Sequence, residues 1–242
     1  LPLKVDILGM NKNYPKHIGL ILDGNRRWAK ERGLPAFEGH RAGLGTIEKL
    51  FDWAIELDIK ELTLYCFSMQ NFKRTSVEVK FLMELFTENF RKVIKNRRIH
   101  ANKVKIKVIG NISLLPEKLQ DAIKKAEEAT KNYKNYIVNF CIAYGGQEEI
   151  AEMVKKIAEK VKDGKVSIDK ITLETVKDNL YLSSEPDIII RTSGEQRTSN
   201  FLVFQQAYSE WFFPEVKWPD FSKKALEDII DQYLGRERRF GK

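Results

Sequence analysis

The strongest constraint on the fold is an alternation of two patterns. Runs rich in β-branched and aromatic residues, His17 to Leu22, Glu61 to Phe67, Val104 to Ile109, Tyr136 to Ile142, Asp187 to Ile190 and Trp211 to Phe213, have the length and composition of strands. Between them, apolar residues keep helical spacing: Ile47, Leu50, Phe51 and Ala54; Val79, Leu82, Met83, Phe86 and Phe90; Ile150, Val154, Ile157 and Val161. Leu226, Ile229, Ile230 and Tyr233 repeat the pattern near the C-terminus. Such alternation predicts an α/β fold with a mostly parallel sheet, one strand per run, helices on both faces and right-handed crossovers.

With 242 residues, 43% hydrophobic, the chain suits one domain over 1–242, with an N-terminal extension at 1–15 and a C-terminal tail at 236–242. The linker-like stretches, Asp163 to Lys165 and Ser183 to Pro186, are too short to divide it. Cys66 and Cys141 both fall in apolar runs and read as buried thiols in a reducing cytosol. His17, His40 and His100 occur without HExxH or CxxC spacing, so any metal is expected to be oxygen-ligated. No apolar run approaches the roughly 18 residues of a membrane span, which predicts a cytoplasmic protein. The net charge of +8 fits an anionic partner without choosing between nucleic acid, membrane and phosphate.

Unusual polar strings begin where strands end: Asp23-Gly24-Asn25-Arg26-Arg27-Trp28 after the first, Ser68 to Arg74 after the second, and Arg191 to Asn200 after the fifth. In an open parallel sheet the carboxyl ends share one edge, so these strings converge on a crevice. Each has a plainer reading. Asp23-Gly24-Asn25 also reads as a turn with a helix cap, Thr75 and Glu78 as a capping box, and His40 beside Gly39 as a packed or capping histidine. Arg191, Arg197 and Ser199 fit a core poorly, whereas guanidinium forks and hydroxyls match diphosphate oxygens. A helix starting near Asn25 adds amides and a positive dipole end. Asp23 and a diphosphate are both anionic, and Mg²⁺ bridges a carboxylate to phosphate oxygens. The chain has no GxxxxGK[ST], no GxGxxG after a strand and no DDxxD, which disfavours an NTPase, a dehydrogenase and a helical trans-prenyl synthase.

The strings HIGLILDGNRRWAK, EGHRAG, LTLYCFSMQNFKR with Glu78, AYGGQEEI and IIIRTSGEQRTSNFLVFQQAYSE followed by WPDF occur in that order. Over about His17 to Gly241 the chain resembles the cis-prenyltransferases, the undecaprenyl diphosphate synthase family, in its archaeal type. The resemblance implies a non-Rossmann α/β domain in a homodimer. The implied reaction is condensation of isopentenyl diphosphate with an allylic prenyl diphosphate, geranylgeranyl diphosphate being the archaeal preference. Its product would be a Z-polyprenyl diphosphate, precursor of a glycosyl carrier lipid. By that resemblance Asp23 holds Mg²⁺ and the allylic diphosphate, with Gly24, Asn25, Arg26, Arg27 and Trp28 lining its pocket and His40 beside it. Ser68, Asn71 and Arg74, with Phe72 over the unit and Glu78 following, position the isopentenyl group and assist proton removal, Asn71 and Asp23 being catalytic. Arg191, Arg197 and Ser199 clamp isopentenyl diphosphate, Glu210 completes the metal environment, and Arg239 in the Arg239-Phe240-Gly241 element reaches the partner subunit's site.

Cys66, Leu82, Leu85, Phe86 and Ile137 read either as the lining of a tunnel for the growing chain or as ordinary core. Ala36 stands where the family has an arginine, and Arg26 or Arg41 is expected to compensate. A non-catalytic subunit of a heteromeric prenyltransferase, or a short-chain enzyme with another primer, are the alternatives. The product is expected to associate with membrane, the enzyme extending to a peripheral position there, and no nucleic-acid motif occurs.

Overall fold

In the computed structural model, which describes residues 14–236, the expected strands form one sheet in the order β3-β4-β2-β1-β5-β6. They are β1 (His17–Ile21), β2 (Glu61–Ser68), β3 (Val104–Ile109), β4 (Tyr136–Tyr144), β5 (Ile188–Arg191) and β6 (Glu210–Phe212). All five pairings are parallel. Strand ends depart from expectation by one or two residues, chiefly because β2 and β4 run on to Ser68 and Tyr144. β1 and β5 are buried at every position, as expected of apolar runs covered on both faces. β3 alternates, with Lys105 and Lys107 on its wetter side, as suits an edge strand.

Two short helices and two long ones start the chain's course over the sheet: α1 (Asn25–Glu31) and α2 (Ala36–Glu56) join β1 to β2, and α3 (Ser76–Val93) with α4 (Arg97–Ala101) joins β2 to β3. α5 (Glu117–Thr130), α6 (Gly146–Lys162), α7 (Leu173–Lys177) and α8 (Lys223–Leu234) follow. On α2, Ile47, Leu50 and Ala54 are buried, and α3 buries Leu82, Met83 and Phe90. They join Leu62 and Leu64 of β2 and Ile106 of β3 in the larger core. Each Leu, Ile, Met or Phe side chain among them contributes about 1.5–3 kcal/mol on burial. On the opposite face Ile21, Tyr65, Cys141 and Ile189 pack with Phe201 and Leu202. Helix α5 has no counterpart in the sequence expectation, although Leu119, Ala122, Ile123 and Ala126 repeat at helical spacing and are buried.

The chain leaves β1 toward β2 on one side, and β5 returns on the other, so the carboxyl ends of β1 and β5 form the topological switch point. The β2–β4 ladder carries two irregularities. Tyr65 pairs with Cys141 but Phe67 with Ile142, and Ser68 then pairs with Tyr144. Cys66 is the extra residue on β2, and Ala143, at φ 50°, is the extra residue on β4. Register is restored by Ser68.

Helix α2 approaches α1 through two glycines one turn apart. A Cβ on Gly39 would lie 2.0 Å from the Asn25 carbonyl oxygen, and one on Gly43 2.3 Å from Asn25 Oδ1. A mid-helix Gly→Ala change ordinarily stabilises by about 1 kcal/mol. Here the obstructing atom is backbone, so overpacking of about 1–3 kcal/mol exceeds that gain. Gly39→Ala should therefore lower the urea midpoint, whereas Gly45→Ala, where a Cβ meets nothing within 4 Å, should raise it.

Candidate active site

Asp23 sits two residues beyond β1, and three donors hold its carbonyl oxygen: Thr192 Oγ1 at 2.7 Å, Trp218 N at 3.0 Å and Ser193 Oγ at 3.3 Å. Gly24 follows at φ 104°, where an added Cβ would stand 2.1 Å from Ser193 Oγ. The carboxylate accepts from Arg191 Nη2 at 2.8 Å and faces Arg27 Nη2 at 3.3 Å. Burial alone would raise the Asp23 pKa. The Arg191 hydrogen bond and charge, then Arg27 and the Gly24 amide, outweigh it and hold the pKa below the usual value. Arg191, 4% exposed, also donates from Nη1 to Ser199 Oγ at 2.6 Å and to the Arg197 carbonyl. The expected convergence of the first and third strings is thus present.

The second string arrives through a 3-10 turn, Met69–Lys73. Asn71 N donates to Ser68 Oγ at 3.2 Å while Ser68 N donates to Asn71 Oδ1 at 3.1 Å, a reciprocal cap that orients both side chains. Thr75 caps α3 by accepting from the Glu78 amide at 3.3 Å, so half of the expected capping box forms. The Glu78 carboxylate does not return to Thr75. It instead gathers His40 Nε2 at 3.2 Å, Arg74 Nη1 at 3.0 Å and Arg26 Nε at 4.0 Å. Burial, opposed by Glu78 and helped by Arg74 and Arg26, holds the His40 pKa below 6.5.

A cavity of ≈ 230 Å³ is lined by Asp23, Asn25, His40, Ser68, Asn71, Arg74, Arg191 and Ser199 at its polar end and by Cys66, Leu82, Leu85 and Phe86 beyond. Leu44, Ile47, Cys66 and Phe86 also line a neighbouring apolar cavity of ≈ 120 Å³, which runs between α2 and α3 past Phe51, Phe90 and Phe140. An outer cleft takes in Gly24, Arg26, Arg27, Lys30, Ala36 and Arg197. Glu195 links Arg27, at 2.7 Å, to Arg197.

Several expected residues lie elsewhere. Ile137 pairs with Glu61 on the other face of the sheet, and the residue of β4 that lines the apolar cavity is Phe140; with a period of two, residues three apart on a strand face opposite sides. Trp28 donates to Asp220 Oδ1 at 2.7 Å and carries Arg32 over its ring, so it braces α1 and does not line the cavities. Phe72 packs edge-on against Phe67 and faces a groove beside α3, outside the central cavity. Arg41 lies over Phe81, leaving Arg26 as the arginine beside Ala36. Glu210 pairs with Ile188 at the amino-end edge of the sheet and binds Arg236 at 2.7 Å, so this chain does not bring it to Asp23. Arg239 lies outside the described residues.

Among the described residues no three His, Cys, Asp or Glu side chains gather as a metal site. One ionised carboxylate on an arginine-lined cleft fits a cation that takes its remaining ligands from bound oxygens and water, as Mg²⁺ does.

One residue that sequence reasoning gave no role organises the third string. Glu149, 1% exposed, accepts from Tyr144 OH at 2.6 Å, Tyr181 N at 2.7 Å and Gln205 Nε2 at 3.1 Å. Beside it, Gly146 N and Gln147 N donate to Asn200 O and Oδ1, both at 2.8 Å, and Tyr65 OH donates to the Ser199 carbonyl at 3.2 Å. The AYGGQEEI string therefore anchors the loop that presents Ser199. Its legible signal was two adjacent acids at a helix start with no cation nearby in sequence.

The sequence matches, over residues 21–241, a family described as "Putative undecaprenyl diphosphate synthase". Relatives from Thermoplasma volcanium and Pyrococcus abyssi are 48% and 47% identical; each match spans 94% of this chain and 89% and 87% of theirs. Both are named tritrans,polycis-undecaprenyl-diphosphate synthase (geranylgeranyl-diphosphate specific). The crystal structure of lavandulyl diphosphate synthase from Lavandula x intermedia, in complex with dimethylallyl diphosphate, superposes with a TM-score of 0.91 at 37% identity, covering 96% of this chain and all (100%) of that one. A probable undecaprenyl diphosphate synthase from Campylobacter jejuni gives 0.79 at 31% identity, covering 95% and 100%.

Burial, opposed by Glu61 and Asp187, also holds His17 below 6.5. Between 6.5 and the lower folded values the unfolded chain binds protons that the folded chain does not. Stability should be full above 6.5 and fall as pH drops through that window, by up to about 1.4 kcal/mol per pH unit for each histidine. Urea midpoints at a series of pH values would show it, and a flat profile would exclude it. Glu149→Gln should cost about 2–4 kcal/mol, because an amide NH₂ would face groups that are all donors.

Proposed function

The chain belongs to the undecaprenyl diphosphate synthase family and is a prenyltransferase of the cis type, and from that premise we propose that it condenses isopentenyl diphosphate with geranylgeranyl diphosphate, with Mg²⁺, to build a Z-polyprenyl diphosphate. The observation that carries the reading is the joining of two environments: a cleft of arginines around Asp23 opens into an apolar passage between α2 and α3. The primer is inferred from the names of the relatives.

In this reading the allylic C–O bond breaks, a C–C bond forms to isopentenyl diphosphate, and one proton and one diphosphate leave. Arg26 and Arg27 at the outer cleft bind the allylic diphosphate and stabilise charge as it develops on the leaving group. Arg191, Arg197 and Ser199 bind isopentenyl diphosphate, and Arg191 keeps Asp23 ionised. Asp23 would hold Mg²⁺, which supplies further counter-charge to the leaving diphosphate. Glu78 fixes Arg74 and His40, the latter neutral at pH 7. Asn71, its Oδ1 tied to Ser68 N, presents its amide to the isopentenyl unit where the proton departs. A homodimer is part of the proposal. Glu210 would join the metal only from a second copy, since within one chain it occupies the opposite edge of the sheet. With Asp23, Asn71, Arg191 and Ser199 assembled around one cavity, a non-catalytic subunit has no observation in its favour.

Asp23→Asn keeps the side-chain shape and removes the charge, and should lower kcat by about a thousandfold with the fold intact by circular dichroism. Chelation of divalent cations should abolish turnover of the unmodified enzyme. Incubating the enzyme with isopentenyl diphosphate and several allylic primers, then determining product length and double-bond geometry, tests the primer. Near-normal turnover of Asp23→Asn would refute the assignment.

A further inference from the structure

Between Glu88 and Glu117 the sequence carries Arg91, Lys92, Lys95, Arg97, Arg98, Lys103, Lys105 and Lys107 and no aspartate or glutamate. The whole chain has a net charge of +8, so this segment accounts for an excess as large as that of the entire protein. It forms the last turn of α3, all of α4 and the edge strand β3, and its first six cations are exposed. Among the described residues Arg98 alone of the eight is ion-paired, to Asp52 at 2.7 Å. Solvation of a helix face does not explain so long a run without a compensating acid.

The position of the segment supplies the second observation. The apolar cavity that begins at Cys66 and Phe86 ends among Lys92, Asn96, Arg98 and Val104, the first residue of β3. The exposed Arg98–Asp52 pair spans that end from α4 to α2, and Glu48 is the other acid facing it. The basic surface thus surrounds the end of the passage that is remote from Asp23.

Capacity gives the reason for an opening there. An apolar cavity of about 150 Å³ holds one benzene ring, so the ≈ 120 Å³ found here holds about one five-carbon unit. A polyprenyl product outgrows it, and its leading end emerges where the cations are. Every CH₂ left in water is unfavourable, so the emerging tail needs an apolar phase to enter. A surface that is both apolar in depth and negatively charged at its face would match this mouth.

The geometry points to a docking face for an anionic lipid bilayer at the end of α3, α4 and the start of β3, which receives the product tail directly from the passage. The inference rests on the cis-prenyltransferase reading for what fills the passage, while the charge argument stands apart from it. Clusters of four to eight Lys or Arg beside an apolar element bind anionic lipid surfaces, each contributing about fivefold in partitioning. Nucleic acid would use the charge, but the apolar mouth would have no role in binding it.

The test uses the full chain and vesicles of pure phosphatidylcholine or equimolar phosphatidylcholine and phosphatidylglycerol. The protein should sediment with the anionic vesicles only and be released by salt. Lys95→Gln/Arg97→Gln/Lys103→Gln, none of which lines the cavity, should weaken partitioning by about a hundredfold. Lys155→Gln/Lys162→Gln/Lys170→Gln on and beyond α6 should leave it unchanged. All three proteins should condense isopentenyl diphosphate equally in vesicle-free buffer. Equal binding by the first variant, no preference for anionic vesicles, or displacement of vesicles by equimolar duplex DNA would overturn the docking face. Vesicle binding without prenyl transfer would uphold the face and remove the reading of the passage; transfer without vesicle binding would do the reverse.

Discussion

The pairing of Asp23 with Arg191 is the interaction on which the site depends. It joins the carboxyl ends of β1 and β5 at the switch point, where two neighbouring strands lead away in opposite directions. Arg191 is almost wholly buried, and a guanidinium there is tolerable only with its partners in place. Those partners are Asp23, Ser199 and the Arg197 carbonyl, so one buried cation fixes residues from both the first and the third polar strings. Burial would by itself favour neutral Asp23, and the cation reverses that preference. The same contact that ties two strands together therefore also sets the charge of the proposed metal ligand.

Around this contact the two faces of the sheet are used differently. One face, under α2 and α3, leaves an apolar passage beside the core. The other is closed, with Phe201 stacked on Tyr65 at 4.9 Å and Glu149 drawing in the segments at Tyr181 and Gln205. The closed face holds in shape the loop that carries Ser199, including left-handed Ser199, Asn200 and Leu202, while the open face leaves the passage that, in the proposed function, takes a chain of changing length. Rigidity and room are separated by the thickness of one sheet.

Much of this was legible in the sequence because the signals were local. The strands were continuous apolar runs, and the strings at their ends shared one edge by topology alone, which brought Asp23, Ser68 and Arg191 together before any contact was known. Legibility failed where the outcome depended on phase or on long-range packing. Ile137 and Phe140 belong to the same strand, and only register with β2 decides which of them meets the passage. Trp28 was placed by Asp220, and Arg41 by Phe81, partners distant in sequence that no spacing rule supplies. Glu149 stands at a helix start, where an acid is ordinarily solvated; its burial follows from donors on Tyr144, Tyr181 and Gln205. Helix α5 is legible in its own periodicity, through Leu119, Ala122, Ile123 and Ala126.

The paired irregularities in β2 and β4 have a consequence for how such a chain can change over generations. Cys66 and Ala143 are surplus residues on neighbouring strands, and each cancels the other before Ser68 is reached. Because each surplus residue is unpaired, its loss would straighten its strand locally and leave Phe67 opposite Ile142 and Ser68 opposite Tyr144, whereas a residue inserted or removed at a paired position would turn the Ser68–Asn71 cap to the other face. The two bulges are thus the places where this ladder can gain or lose a residue without moving the cap away from the cavity.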